Sequence, residues 1–267
     1  DRVFATAGVR HDSYNVFGDA TTYRLTGGYY QKETDTKLRV GYATGFRAPS
    51  MNELYFPNFG NPNLGPEKNQ SMDAGIDQYF LSKQLKLSGG LFWNHYRNLI
   101  VTTFDPGFCA PFSTFGFCSQ QVGSASTKGW EAGLTYTYAG ERPFLRGVVV
   151  QAQYTNTLTR DIEAHTRLPR WPTDQWSASV SYQPIDPLWI TVIGRYVGSR
   201  FNTTGEQQAM RAFDVWSLAV TYDVTKQLQA YLRAENLFNE KYEEIASAGV
   251  PIRSIFGGVR VTLGGKS

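Results

Sequence analysis

The chain has 267 residues and a formal net charge of +3, with aromatic residues at 15% and charged residues at only 18%. Its mean hydropathy of −0.36 is too polar for a helical membrane protein, and no run of about 18 apolar residues exists to cross a bilayer as a helix. Lys and Arg are scattered along the chain, which excludes the clustered basic surface that tracks nucleic acid.

The chain opens at Asp1 directly into alternating residues 2–9. Neither a charged n-region nor an apolar h-region precedes them, so a signal peptide has been removed or the chain begins mid-protein. Period-two alternation then recurs along the sequence and predicts about twelve strands. Trp130, Ala132, Leu134 and Tyr136 oppose Glu131, Gly133, Thr135 and Thr137. Trp176, Ala178, Val180 and Tyr182 oppose Gln175, Ser177, Ser179, Ser181 and Gln183, and Leu228, Ala230 and Leu232 oppose Gln229, Tyr231 and Arg233.

The connections alternate strictly between short and long. Tight turns are expected at 33–36, 81–84, 184–187 and 223–226; polar and aromatic stretches occupy 46–68, 97–119, 159–171, 198–212 and 236–251. A soluble sandwich accounts for any single strand but has no reason to keep this asymmetry. A transmembrane β-barrel does, with short turns on one rim and long loops on the other, and only its alternate residues meet lipid. Tyr42, Tyr79, Trp93, Tyr138, Trp176, Tyr182, Trp189, Tyr196 and Tyr222 fall near strand ends, where interfacial aromatic girdles sit. The predicted fold is therefore all-β, an antiparallel transmembrane barrel in which Val180 and Leu232 face lipid while Ser179 and Arg233 face the lumen.

Cys109 and Cys118 are consistent with one disulfide in an oxidising compartment, the alternative being two free thiols. His11, His95 and His165 lack metal-ligand spacing, and the loops lack the clustered acids that calcium needs, so no metal and no cofactor is expected. No nucleophile elbow or phosphate loop is present. A twelve-stranded outer-membrane lipase is the natural enzyme rival, but no Ser–His pair is nominated for it.

Two segments resemble a known family. The stretch Gly41-Tyr-Ala-Thr-Gly-Phe-Arg-Ala-Pro-Ser50, with Glu53-Leu-Tyr55 and Gly60-Asn-Pro-Asn-Leu-Gly-Pro-Glu67, resembles the mid-barrel strand and loop of TonB-dependent outer-membrane receptors. Ala234-Glu-Asn-Leu-Phe-Asn-Glu-Lys-Tyr242 and the strand Ser254 to Leu263 resemble their C-terminal box. Pro49, Pro62 and Pro66 stop strands, so the first motif is an excursion from the sheet. Asn236 and Asn239 suit backbone bonding where the penultimate strand ends.

The resemblance covers essentially residues 1–267 and implies the C-terminal part of a 22-stranded barrel in the outer membrane of a Gram-negative bacterium. It implies a multi-pass receptor and not an enzyme. Its partners would be outer-membrane lipid, an extracellular small molecule (cobalamin or an iron-siderophore, with a leaning to cobalamin-receptor-like members) and TonB. TonB would act through a plug domain, with its TonB box, that this chain lacks. The end departs from the family, Leu263 being followed by Gly-Gly-Lys-Ser267 where an aromatic residue is usual. A passive porin-like or structural barrel is the alternative.

Exposed loop aromatics are costly unless they meet something. Phe112, Phe115 and Phe117 around the cysteines, Tyr55, Phe56 and Phe59 in the preceding long loop, and Arg200 and Phe201 further on are thus the candidate ligand contacts.

Overall fold

The computed structural model describes residues 1–140 and 142–263; the atypical end at 264–267 lies outside them. Alternation yields β1 (Arg2–Tyr14), β2 (Gly18–Gln31), β3 (Thr36–Arg47), β4 (Glu67–Phe80), β5 (Leu85–Phe104), β6 (Phe117–Thr137), β7 (Val149–Asp161), β8 (Asp174–Ile185) and β9 (Leu188–Val197). A separate hairpin of β10 (Arg200–Thr203) and β11 (Gln207–Met210) follows, and then β12 (Phe213–Asp223), β13 (Leu228–Glu235) and β14 (Ser254–Val261). Apart from the hairpin, these strands form one 12-stranded sheet in which each pairs with its neighbours in chain order, and β1 and β14 are its open edges. The hairpin pairing is antiparallel throughout, the wall of an up-and-down barrel.

Cross-strand partners share a face, so the register sorts the strand residues into two surfaces. Val3, Tyr29, Leu38, Ile76, Gly89, Ala132, Tyr154, Trp176 and Tyr196 are successive partners from β1 to β9. One step along, Arg2, Tyr30, Lys37, Asp77, Ser88, Gly133, Gln153, Ser177 and Arg195 form the parallel row on the opposite face. Along these rows one surface is apolar and the other largely polar, while towards the long-loop rim the apolar surface gives way to Lys68, Arg97, Lys128 and Arg160. On the polar face Asp77 is buried between Arg39 Nη1 at 2.7 Å and Lys86 Nζ at 3.4 Å, the pairing that a sheltered carboxylate requires.

Trp176, Val180, Leu228 and Leu232 fall on the apolar face and Gln175, Ser179, Gln229 and Arg233 on the polar one, as the alternation predicts. Two of the girdle residues do not follow: Tyr79, whose ring lies under Lys86, and Trp189 both occupy the polar face. The apolar face instead carries a band of touching rings, with Trp130 4.8 Å from Tyr154 and Trp176 6.2 Å from Tyr196 and 5.7 Å from Trp216. Tyr136, Tyr182 and Tyr222 lie on that face six residues from Trp130, Trp176 and Trp216, about 20 Å along each strand at a rise of roughly 3.3 Å.

Strict alternation of connection length fails at two places. The β1–β2 connection at 15–17 is tight although it lies on the long-loop rim, and 138–148 is long although it lies on the short-turn rim. Much of 97–119 is also strand, because β5 and β6 continue as a ladder to the Phe104–Phe117 pair. At 20 and 21 residues they far exceed the roughly 9 to 11 that span a bilayer, so this hairpin projects well beyond the rim.

Candidate functional site at the long-loop rim

Nearly all buried apolar residues, including Leu54, Leu64, Val122, Ala125, Leu168, Met210 and Phe213, lie in the long connections or the strand ends beside them. Leu168 packs on Val122 and Ala125 against Tyr96, Leu99 and Val101. Ala125 and Thr127 are fully buried on the polar face, so the loops lean over that side of the wall.

The first loop, 48–66, is clamped at its base. Arg47 donates to Glu53 at 2.9 and 3.0 Å and to Glu67 at 2.5 Å, joining the two ends of the excursion. Ser50 caps the short helix α1 (Met51–Tyr55): its Oγ accepts from Glu53 N–H, and Glu53 Oε2 accepts from Ser50 N–H at 2.7 Å, a reciprocal capping box. Burial pushes the Glu53 carboxyl up, but hydrogen bonds from Arg47 and Ser50 outweigh it and hold the group below its ordinary value. At Gly60 a Cβ would stand 2.6 Å from the backbone nitrogens of Phe56 and Tyr55; only glycine admits this return of the chain.

The β5–β6 tip is held differently. Asp105 accepts from the N–H groups of Gly107 and Phe108 and caps α2 (Pro106–Cys109), and Cys109 and Cys118 form a disulfide with Cα atoms 5.5 Å apart. Loop 48–66 is sewn to this hairpin: Ser119 N–H donates to Phe59 O at 3.0 Å, Asn61 Nδ2 to Ser119 O at 3.1 Å, and Gln121 exchanges two bonds with the Gly65 backbone.

The hairpin β10–β11 links the rest. Thr103 and Thr204 hydroxyls meet at 2.5 Å. Asn202, buried, accepts from Arg170 Nε at 3.1 Å and from Ala246 N–H at 3.4 Å, and donates to Gln208 Oε1 at 2.7 Å. Burial lowers the Arg170 guanidinium from its ordinary value. Glu206 is held low by the Arg167 N–H and guanidinium.

The candidate aromatics separate within this canopy. Tyr55, Phe56 and Phe115 are 63%, 56% and 70% exposed, and Thr114 Oγ1 bonding Asn58 Oδ1 at 3.3 Å brings their loops together. Phe117 instead packs on Phe104 at 4.7 Å, Phe112 on Phe108 at 6.2 Å, and Phe59 is half-buried. Phe201 lies under Arg167 at 4.6 Å. Arg200 is only 5% exposed and donates to Glu243 O and Glu244 O at 2.8 and 3.1 Å, tying the hairpin to loop 236–253. Its Nη2 thus anchors the hairpin, whereas its Nη1 is buried without a hydrogen-bond partner among the described residues. Arg47, Asn202 and Phe108, which is 40% exposed, are absent from the candidates drawn from sequence; no motif marks Asn202. Asn236 bonds the Glu240 backbone in both directions and Asn239 caps Arg253 N–H, as the C-terminal motif suggested.

The family described as TonB dependent receptor-like, beta-barrel, matches residues 1–237. The chain belongs to the TonB-dependent receptor β-barrel family. Over 251 residues it is 30% identical to the vitamin B12 transporter BtuB of Vibrio vulnificus (strain YJ016), covering 92% of this chain and 37% of the relative. This TonB-dependent receptor chain also superposes on the ferric enterobactin receptor PfeA of Pseudomonas aeruginosa, with a TM-score of 0.72, 18% identity and coverage of 97% and 43%. The siderophore receptor PiuA of Acinetobacter baumannii gives 0.72, 17%, 97% and 40%. The receptor chain thus spans about two-fifths of the length of the relatives it matches, and its sheet is the partial wall of their barrel.

Proposed function

We propose that this chain forms part of the wall and outer vestibule of a receptor in the outer membrane of a Gram-negative bacterium. The receptor captures a scarce nutrient, cobalamin or a ferric siderophore, and imports it with energy delivered by TonB through a plug domain outside this chain. The apolar rows that run from strand to strand support contact with lipid, and the likeness to a vitamin B12 transporter and to siderophore receptors supports the ligand class. Its chemistry is binding and not bond-breaking.

The observation that carries the reading is the rim. Long connections are cross-linked into one canopy leaning over the polar face, and it holds Tyr55, Phe56 and Phe115 exposed on adjoining loops. Rigid rings on a fixed scaffold give large contact area at low entropic cost. Replacing all three by Ser in the full-length receptor is expected to weaken binding of labelled cyanocobalamin or ferric siderophore about tenfold or more, roughly 1.4 kcal/mol per tenfold. Phe112 and Phe117, which pack internally, are excluded from the variant so that the scaffold survives. Unchanged affinity for the ligand that the parent receptor binds would overturn the reading.

A further inference from the structure

The β10–β11 hairpin carries unpaired charge into the canopy. Arg200 and Asn202 are both buried on one face of β10, two residues and so about 7 Å apart along the strand. That face meets the segment 242–246. Arg200 Nη2 holds the carbonyls of Glu243 and Glu244, and Asn202 Oδ1 accepts from Ala246 N–H and, at 3.1 Å, from Arg170 Nε. From β9, Arg195 Nη2 reaches Glu244 Oε1 at 2.6 Å and Tyr242 Oη at 3.3 Å. Three guanidinium groups thus converge on one short segment.

Their charge is not balanced there. Glu244 is taken by Arg195 and Glu206 by Arg167, and neither Arg170 nor Arg200 meets a carboxylate in the ion pairs of the described residues. Arg200 Nη1 is also buried with no hydrogen-bond partner among them, and burial holds both guanidinium groups below their ordinary value. The Phe213 ring lies 5.5 Å from Arg200 Cζ and 5.4 Å from Arg195 Cζ, so one ring serves two cations and offsets only part of their charge. An enclosed cation without a counter-charge is costly. A water molecule would bond Nη1 but would not neutralise it. Phe213 and Glu243, which border Arg200, also wall a cavity of about 530 Å³, the route by which a small solute reaches this group.

We propose that Arg200 Nη1 and the Arg170 guanidinium hold a chloride ion on the inner face of the hairpin, and that the ion fastens the 162–173 and 236–253 connections to it. The donors select the ion. Arg recognises oxyanions through two parallel N–H groups, but Nη2 of Arg200 is engaged by carbonyls, and a monatomic anion needs no such fork. A singly charged ion also loses less hydration on burial than phosphate or sulfate does. The ion is a clamp and not the imported nutrient, because Arg200 lies beneath the rim that the exposed rings present.

The test uses the purified full-length receptor without nutrient. Chloride is exchanged stepwise for gluconate, a bulkier anion, at constant ionic strength, and cleavage by a protease of broad specificity is followed in 162–173 and 236–253. Chloride at about ten times its dissociation constant should slow cleavage of both connections together by about tenfold. Bromide should replace it and sulfate should not. Arg200→Gln should remove the chloride dependence, whereas Arg211→Gln, which neutralises an exposed cation of the same cavity, should keep it. Crystals of the native receptor in bromide should show anomalous density in contact with Arg200 Nη1, a measurement that needs no variant. Equal cleavage in chloride and gluconate would overturn the proposal, as would a chloride dependence that survives Arg200→Gln or vanishes equally in Arg211→Gln, or a water molecule at Nη1 in place of bromide.

Discussion

The wall and the canopy are built on opposite physical plans. In the wall, backbone ladders satisfy the chain while side chains alternate between two faces, and few residues are buried. In the canopy the backbone runs irregularly, and buried side chains such as Asn202, Asn61 and Arg200 must satisfy it. This chain therefore keeps its conventional core at the long-loop rim and not in the wall. A substitution in the wall is therefore judged by the medium it faces, and one in the canopy by the partners it leaves behind.

Val180→Arg on the apolar face should cost roughly 2 to 4 kcal/mol in a lipid bilayer, and Ser179→Arg on the polar face much less, read as unfolding free energy in urea; equal costs would mean that the two faces do not see different media. In the canopy, replacing Cys109 and Cys118 with Ser should loosen the β5–β6 tip by roughly 2 to 3 kcal/mol, since the bond closes a short loop. Thiol labelling of the native protein without reductant should leave both cysteines unmodified, and stoichiometric labelling would refute the pairing.

Asn202→Ala should cost roughly 1 to 3 kcal/mol, the penalty for stranding buried partners. Because Asn202 touches the 162–173 and 236–253 connections as well as its own hairpin, protease cleavage should rise in all of them together. Cleavage confined to the hairpin would sink its role as a shared tie. The smallest effect concerns Glu53. Its carboxyl is held below the ordinary value, so its contribution is fully present above about pH 4.3 and is lost as pH falls through the lowered value. Loop 48–66 should loosen in acid, by less than about 1 kcal/mol because the Arg47 side chain stays nearly half exposed and solvent screens the pair, and Glu53→Gln should abolish that pH dependence in a proteolysis assay.

Much of the wall is legible in the sequence, because alternation is a local property: Gln175 to Gln183 names its two faces without knowing its neighbours. Turn chemistry was nearly as clear, and Pro49, Pro62 and Pro66 marked the excursion at 48–66. Alternation does not say where a ladder ends, so the far halves of β5 and β6 look like loop in the sequence, and nothing in 198–212 marks the hairpin β10–β11. Tyr79 and Trp189 fall near strand ends, which suggests the girdle, but the register puts them on the polar face.

By itself, then, the sequence determined what depends on neighbours along the chain: the strands, the two-faced wall and the family motifs. Only the tertiary structure decided which rings are free, because that depends on contacts between loops far apart in sequence. Phe115 and Phe117 are alike in composition and context, yet one is exposed and the other covers Phe104. Arg200 reads as a free cation in the sequence, and only the fold takes its Nη2 up with the carbonyls of Glu243 and Glu244 and buries its Nη1 unpartnered. Such assignments are set by long-range packing and hydrogen-bond satisfaction, which leave no periodic trace in a sequence.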